Sequence, residues 1–91
     1  FDETNRTLFA FAAYNAGPGR IARLRKEAER EGLDPDKWFN NVELIAAKRV
    51  GQETVGYVRN IFKYYVAYKL QLETLATRRS LLQQGGMPGM K

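Results

Sequence analysis

The sequence predicts an all-α fold of about four helices, with a last helix much longer than the others. Three observations favour this fold. Apolar residues recur at helical spacings of three and four along most of the chain. Glycines interrupt the pattern at Gly17, Gly32 and Gly51, and helices commonly end at such residues. No stretch alternates strictly between apolar and polar residues, so no strand is expected.

The first helix is predicted near Thr4–Asn15, with Asp2 or Thr4 as its capping residue. The acidic side chains of Asp2 and Glu3 suit the positive end of a helix. Apolar residues fall almost all round this segment, so we expect it to be buried on most sides.

A sharp corner is predicted where the first helix meets the second. Gly17 suits a left-handed residue that ends a helix, and Pro18 suits the first turn of the next one. The corner would hold the polar pair Tyr14 and Asn15 at its edge. From the residues alone two interpretations stay open: an ordinary helix breaker with Tyr14 half-buried in the core, or a polar pair presented for binding.

The second helix is predicted over Pro18–Glu31, with Ile21, Leu24 and Ala28 on its apolar face. Its other positions are mostly charged. Pairs within the helix, such as Arg23 with Glu27, are expected to neutralise most of these charges. The charged face is therefore interpreted as a solvated surface rather than a binding patch.

The connector that follows holds a predicted turn at Asp34-Pro35-Asp36 and two large rings, Trp38 and Phe39. Large rings in a connector usually fill a gap in the core, and this interpretation is favoured here. The alternative is that they line a sugar-binding groove, because flat rings stack on the faces of pyranose sugars.

The third helix is predicted over Asn41–Val50, capped by Asn40 or Asn41, and the fourth from Gln52 to about Leu82. A helical pattern of this length is expected to outrun its own domain or to break near residues 77–80. Residues 1–83 are expected to form one structural unit. The remaining residues, 84–91, are expected to form a flexible tail.

The length, residue composition and net charge of the chain limit the functions it can have. A chain of 91 residues allows one domain with a small core. The absence of Cys excludes a disulfide or a thiolate metal site, and the absence of His removes the commonest metal ligand. The net charge of +5 lies mostly in the second half and favours an anionic partner. Because the chain begins at Phe1 in mid-pattern, we expect it to be a piece of a longer protein.

Two motifs carry a resemblance to a known family. The stretch AAYNAGPGR, residues 12–20, resembles the third sequence motif of the lytic transglycosylases, enzymes with a lysozyme-like fold that cut bacterial peptidoglycan. Glu53-Thr54 with the following Tyr57-Val58, continued by KYYVAYKL at residues 63–70, resembles the fourth motif. Residues 25–51 resemble the linking stretch of the membrane-bound F-type subgroup. The resemblance runs from about Asn5 to Leu72.

The resemblance implies that this chain is the helical C-terminal part of a lysozyme-like domain. It implies a substrate-binding role for Tyr14, Asn15, Ala16, Gly17 and Tyr57. The other interpretation of Tyr57 is a core ring with its hydroxyl at the rim. The family's catalytic Glu belongs to a Glu-Ser motif that this chain does not contain, and Glu43 and Glu53 are not substitutes for it. We therefore expect no catalytic residue here, a catalytic Glu upstream of Phe1, and no activity of this chain alone.

The implied reaction is non-hydrolytic cleavage between N-acetylmuramic acid and N-acetylglucosamine, which gives a 1,6-anhydro product without a metal or organic cofactor. The implied partners are glycan strands of peptidoglycan and the upstream half of the same domain. The implied location is the periplasmic side of the bacterial envelope, with attachment to the outer membrane through the upstream region.

Two further expectations concern partners. The competing class is a small basic helical module for nucleic acid or protein, supported by Arg59, Lys63, Lys69, Arg78 and Arg79; with the family resemblance, nucleic acid is not expected. Self-association is expected because a small chain with apolar surface to cover rarely stays alone. The residues expected in that interface or in the core beside it are Phe9, Phe11, Ile61, Phe62 and Tyr65.

Overall fold

A computed structural model describes residues 1–84. It consists of four α-helices joined by short connections, as predicted, and these 84 residues contain no strand. The helices are α1 (Glu3–Ala16), α2 (Pro18–Arg30), α3 (Glu43–Arg49) and α4 (Gln52–Gln83). Of the predicted tail, residues 85–91 lie outside the described part of the chain.

The start of α1 is fixed by Asp2, as predicted. Its carboxylate accepts a hydrogen bond from the backbone N–H of Asn5 at 2.7 Å. That hydrogen bond is the main reason why the pKa of Asp2 lies below its usual value. The expectation of burial on most sides was wrong, because only Leu8, Phe9 and Ala12 of α1 are buried.

The corner between α1 and α2 is formed by Gly17, which ends one helix and precedes the other. Its N–H donates to the carbonyl of Ala13 at 2.8 Å, and its own carbonyl accepts from Ile21 at 3.1 Å. The φ of Gly17 is 97°, as a glycine stop predicts, but its ψ of 139° lies outside the left-handed helical region. This extended, positive-φ conformation is essentially restricted to glycine. Gly17 is therefore the only residue between the end of α1 and the start of α2 at Pro18.

The charged face of α2 is not neutralised within the helix. The carboxylate of Glu27 is bound by Arg49 of α3 at 2.9 Å rather than by Arg23. Lys48 of α3 approaches Glu31 at 3.6 Å. The prediction of internal pairs was wrong because α3 lies beside α2 and supplies cations of its own. These contacts fasten α2 to α3 and leave cations of α2 without acidic partners.

The two connector rings have different environments. Trp38 is fully buried and meets the ring of Phe9 edge-on at 5.8 Å, which confirms the core-filling interpretation for this residue. Its backbone N–H donates to the side-chain oxygen of Asn5 at 2.9 Å, so the connector is tied to α1. Phe39 is 37% exposed and meets Phe62 of α4 edge-on at 5.6 Å. It lies at the rim of the core.

The third helix begins later than predicted. Val42 donates a hydrogen bond across five residues to the carbonyl of Lys37, but Phe39 and Asn40 between them are not helical. Their angles are those of a type II turn, with Asn40 at φ 60°. The predicted asparagine cap is absent; instead the Glu43 carboxylate accepts from the backbone N–H of Asn40 at 3.1 Å. Glu43 thus opens α3 and does not lie in a helix interior.

The core lies where the four helices and the connector meet. Its buried apolar members come from all of them: Leu8, Phe9, Ala12, Ile21, Leu24, Ala28, Trp38, Val42, Ile45, Ala46, Val55 and Val58. Of the residues expected in or beside an interface, Phe9 is in this core, whereas Phe11, Ile61, Phe62 and Tyr65 are half-buried. Those four form an apolar margin beside the core.

Helix α4 runs without a break and extends beyond the rest of the molecule. We call residues 52–65 its anchored half, because they include the buried residues Thr54, Val55 and Val58. Residues 66–83 are its projecting half, in which every residue is exposed except the half-buried Leu81. The longest dimension is accordingly 60 Å, against 23 and 19 Å for the other two. Among residues 1–84, no helix combines the length and hydropathy needed to cross a bilayer.

Candidate functional site

Tyr14 lies in the last turn of α1 with its side chain directed to solvent. It is 85% exposed, the largest exposed fraction among the large apolar and aromatic residues of the described chain. The interpretation of Tyr14 as a half-buried core residue was therefore wrong. An aromatic ring and its hydroxyl stand free on the surface beside the corner, where an approaching ligand can reach both.

Asn15 joins the corner to the start of α4. Its side-chain oxygen accepts a hydrogen bond from the hydroxyl of Thr54 at 2.7 Å. Thr54 is only 4% exposed, whereas Asn15 is exposed, so the bond runs from the edge of the core to the surface. Residues 39 positions apart are thereby fixed to each other, one from each of the two motifs.

The backbone around this bond is set by glycines at both helix ends. Ala16 and Gly17 are half-buried directly after Asn15. On the α4 side, Gly51 precedes the helix with φ 116° and ψ 175°, another conformation essentially reserved for glycine. A side chain at either glycine would be strained, so both ends of the contact depend on glycine backbone.

Tyr57 lies one helical turn after Thr54 and on the same side of α4. It is half-buried and packs against the core. Its neighbour Gly56 is a helix-interior glycine, and a methyl group at its Cα would meet nothing within 4 Å. The structure therefore joins Asn15 to Thr54 and places Tyr57 one turn further along the same side of α4, while Tyr14 precedes Asn15 at the end of α1.

Glu43 and Glu53, the two glutamates weighed as substitutes for the catalytic acid, differ in environment. Glu43 is 9% exposed, is hydrogen-bonded by Asn40 and lies 3.6 Å from the guanidinium of Arg59. Glu53 is exposed in the first turn of α4. Within residues 1–84, no three carboxylate side chains converge in a way that could hold a metal ion.

Curated relatives share most of this chain. The membrane-bound lytic murein transglycosylase F of Stutzerimonas stutzeri is 40% identical, and the match covers 70% of this chain and 16% of the relative. Those of Ectopseudomonas mendocina and Marinobacter nauticus are each 41% identical, and the matches cover 69% of this chain and 16% and 15% of the relatives. The chain is homologous to the lytic transglycosylases.

This homology confirms the resemblance drawn from the two motifs. The lytic transglycosylase homologue described here spans about 16% of the length of the relatives it matches. No family model matches the chain. No solved structure matches it. The roles of Tyr14, Asn15, Ala16, Gly17 and Tyr57 stay predictions, because the relatives' names describe whole proteins and not residues.

Sequence reasoning on this lytic transglycosylase homologue missed two features. It assigned no role to Thr54, although the Glu-Thr pair was part of the fourth motif. Nothing in the spacing of the sequence pairs residue 54 with residue 15. It also interpreted the cations of α2 as internally paired, since only neighbours along one helix are visible in a sequence.

Proposed function

We propose that this chain is part of a peptidoglycan lytic transglycosylase and that it supplies one wall of the glycan-binding surface. The wall consists of Tyr14, Asn15, Ala16, Gly17 and Tyr57. The observation that carries the proposal is the 2.7 Å hydrogen bond between Asn15 and Thr54. It holds together the two segments that resemble separate motifs of the family, as a shared binding surface requires.

The chemistry of these residues suits a sugar. A phenol and a carboxamide orient hydroxyl and acetamido groups by hydrogen bonds without adding charge to the surface. The exposed ring of Tyr14 offers an apolar face for a pyranose. The Asn15 oxygen is engaged by Thr54, so its amide N–H₂ group is the part directed to a ligand.

The proposed reaction of the whole protein is cleavage of the β-1,4 bond between N-acetylmuramic acid and N-acetylglucosamine. A glutamate protonates the leaving oxygen, and the muramoyl 6-hydroxyl then closes onto C1 to give the 1,6-anhydro end. We place that glutamate upstream of Phe1, because Glu53 is exposed and Glu43 is held by Asn40 and Arg59. A general acid of this kind requires a closed groove. The 91-residue chain alone is therefore inactive, and the whole protein acts in the cell envelope.

A chimera tests the proposal. Residues 5–72 of this chain would replace the matching segment of the Stutzerimonas stutzeri relative, and soluble 1,6-anhydromuropeptides released from sacculi would be measured by mass spectrometry. The chimera is expected to be active and the isolated 91-residue chain inactive. A folded chimera without turnover would contradict the proposal. Turnover by the isolated chain, lost on Glu53→Gln or Glu43→Gln, would show that the acid lies in this chain.

The role of Tyr57 is tested in the same chimera by Tyr57→Phe. Loss of one substrate hydrogen bond should lower turnover about three- to tenfold while the melting temperature stays unchanged. Tyr64→Phe is the matched control, because Tyr64 lies on the same helix and is 74% exposed. A large fall in melting temperature with normal turnover would instead assign Tyr57 to the core alone.

The competing function is that of a basic module for nucleic acid. Arg59, one of the cations that supported it, approaches the Glu43 carboxylate at 3.6 Å and so is partly neutralised. Filter binding of the 91-residue chain to duplex DNA over a range of salt concentrations separates the two functions. Tight binding with a steep salt dependence, combined with no retention on sacculi, would favour the nucleic-acid module.

A further inference from the structure

An open cleft of about 550 Å³ lies between α2 and the end of α3. Its floor is apolar and its walls are basic. The lining residues are Arg20, Arg23, Leu24, Lys26, Glu27, Arg30, Arg49 and Val50. Five cations and a single carboxylate thus face one concave surface, so the cleft attracts anions.

The acids of α2 do not neutralise this cleft. Glu27 is the only acid in the lining, and Arg49 already binds it at 2.9 Å. Glu31, the next acid along the same helix face, is approached by Lys48. Among residues 1–84, no carboxylate lies within ion-pair distance of the four remaining lining cations. Those cations are Arg20, Arg23, Lys26 and Arg30, all with exposed side chains.

Two lining residues connect the cleft to the segments of the proposed glycan-binding wall. Arg20 lies in the first turn of α2, three residues after the corner glycine Gly17. Val50 directly precedes Gly51, which opens α4. The Asn15–Thr54 hydrogen bond closes the contact between these two helix ends. A polymer bound at the corner would therefore lie near the part of the cleft that Arg20 and Val50 line.

We propose that this basic cleft binds the carboxylates of the peptide stems of peptidoglycan. The inference rests on the proposed function, because the glycan at the corner is what delivers the stem to the cleft. Arginine suits this ligand since its planar guanidinium pairs with a carboxylate through two parallel hydrogen bonds. A concave site whose apolar floor residue Leu24 is only 4% exposed is less suited to a lipid surface, which favours protruding apolar side chains.

Co-sedimentation of the 91-residue chain with insoluble sacculi tests the inference. Three preparations are compared: intact sacculi, sacculus glycan that is immobilised on beads and then freed of stem peptides by an amidase (stripped sacculi), and vesicles with one quarter anionic phospholipid. The test variant is the triple substitution Arg20→Gln, Arg23→Gln, Arg30→Gln. The control removes the same charge from α4 through Lys63→Gln, Arg78→Gln and Arg79→Gln, which lie outside the cleft. Circular dichroism checks that both variants stay folded.

Intact sacculi should bind the test variant about tenfold more weakly than the unmodified chain, because three exposed charge contacts are lost. Stripped sacculi should bind both equally, and the control variant should match the unmodified chain on every preparation. An equal loss on intact and stripped sacculi, or a loss seen only on vesicles, would overturn the stem-peptide assignment. Stem-independent binding leaves the glycan proposal standing, whereas no retention on either sacculus preparation would contradict both.

Discussion

The two halves of α4 belong to one continuous helix but differ in burial: the anchored half packs against the core, and the projecting half is exposed to solvent. In the anchored half, Val55 and Val58 are at most 3% exposed and Thr54 is bonded to α1. In the projecting half, Leu70, Leu72 and Leu75 are 58%, 49% and 54% exposed, although the helix and its apolar residues continue through this segment. The difference teaches that a hydrophobic period predicts a helix without predicting that the helix has a partner. Burial in α4 depends on α1 and α3, the two helices that pack against it, and their contacts bury residues only in the anchored half.

The largest effect is expected from placing the same charge in each half. Val58→Asp should abolish cooperative unfolding, since Val58 is fully buried and an unpaired carboxylate there costs several kcal/mol. In the dissociated monomer, Leu72→Asp should change the free energy of unfolding by less than about 0.5 kcal/mol, because Leu72 is exposed there. Equilibrium urea unfolding measures both. Equal effects of the two substitutions would show that the projecting half is packed as tightly as the anchored half.

Association should depend on the projecting half. Its exposed leucines and the half-buried margin at Phe62 and Tyr65 form an apolar surface, and such surfaces drive self-association. The 10.4 kDa chain should therefore sediment as a larger species at low micromolar concentration. Leu72→Asp combined with Leu75→Asp should return it to the monomer. A compact monomer of the unmodified chain, with a cooperative unfolding transition, would contradict this expectation and the interpretation of the chain as a fragment that needs a partner.

Two threonine hydroxyls give a smaller, matched comparison. Thr54→Val removes the hydrogen bond to Asn15 and should lower the free energy of unfolding by about 1 kcal/mol. Thr74→Val removes a hydroxyl that donates to the carbonyl of Leu70 at 2.9 Å in the projecting half. That control should have almost no effect, because the site is exposed and its carbonyl stays within the helix. Equal shifts of the urea midpoint in the two variants would show that the Thr54–Asn15 bond between helices contributes no more to stability than the Thr74–Leu70 bond within one helix.

The smallest effect is a pH dependence of the contact that holds α3, and with it the start of α4, against α2. The hydrogen bond from Arg49 is the main reason why the pKa of Glu27 is lowered from its ordinary 4.5. A lowered pKa in the folded state contributes stability at neutral pH. That contribution is lost as the pH falls below 4.5 and through the folded pKa. Arg49→Gln should therefore flatten the acid limb of the urea midpoint, whereas Arg30→Gln, at an unpaired position, should not.

Sequence reasoning predicted the helices better than their contacts. Gly17 and Gly51 mark helix ends correctly because backbone conformation at a glycine is a local property. The split between buried Trp38 and rim-exposed Phe39 was not predictable, since both follow one turn and differ only in what lies opposite. The Glu27–Arg49 pair was missed for the same reason, because Arg49 is distant in sequence and adjacent only after folding.

The candidate site shows the same division. The exposure of Tyr14 and the positive φ of Gly17 agree with a corner that presents side chains, as the motif suggested. The bond to Thr54 depends on how α1 meets α4, and the basic cleft beside Arg20 depends on how α2 meets α3; no spacing in the sequence specifies either contact.

The fluorescence of Trp38 allows unfolding of the core to be measured separately from fraying of the projecting half of α4. It is the only tryptophan in the chain, and it is fully buried against Phe9 in a core that contains no residue of the projecting half. Its emission changes when solvent enters the core and does not change when α4 frays beyond residue 66. Far-ultraviolet ellipticity sums both halves, so on gentle heating it should decline before the fluorescence shifts. The temperature difference between the ellipticity and fluorescence curves then measures how much of the helix lies outside the core.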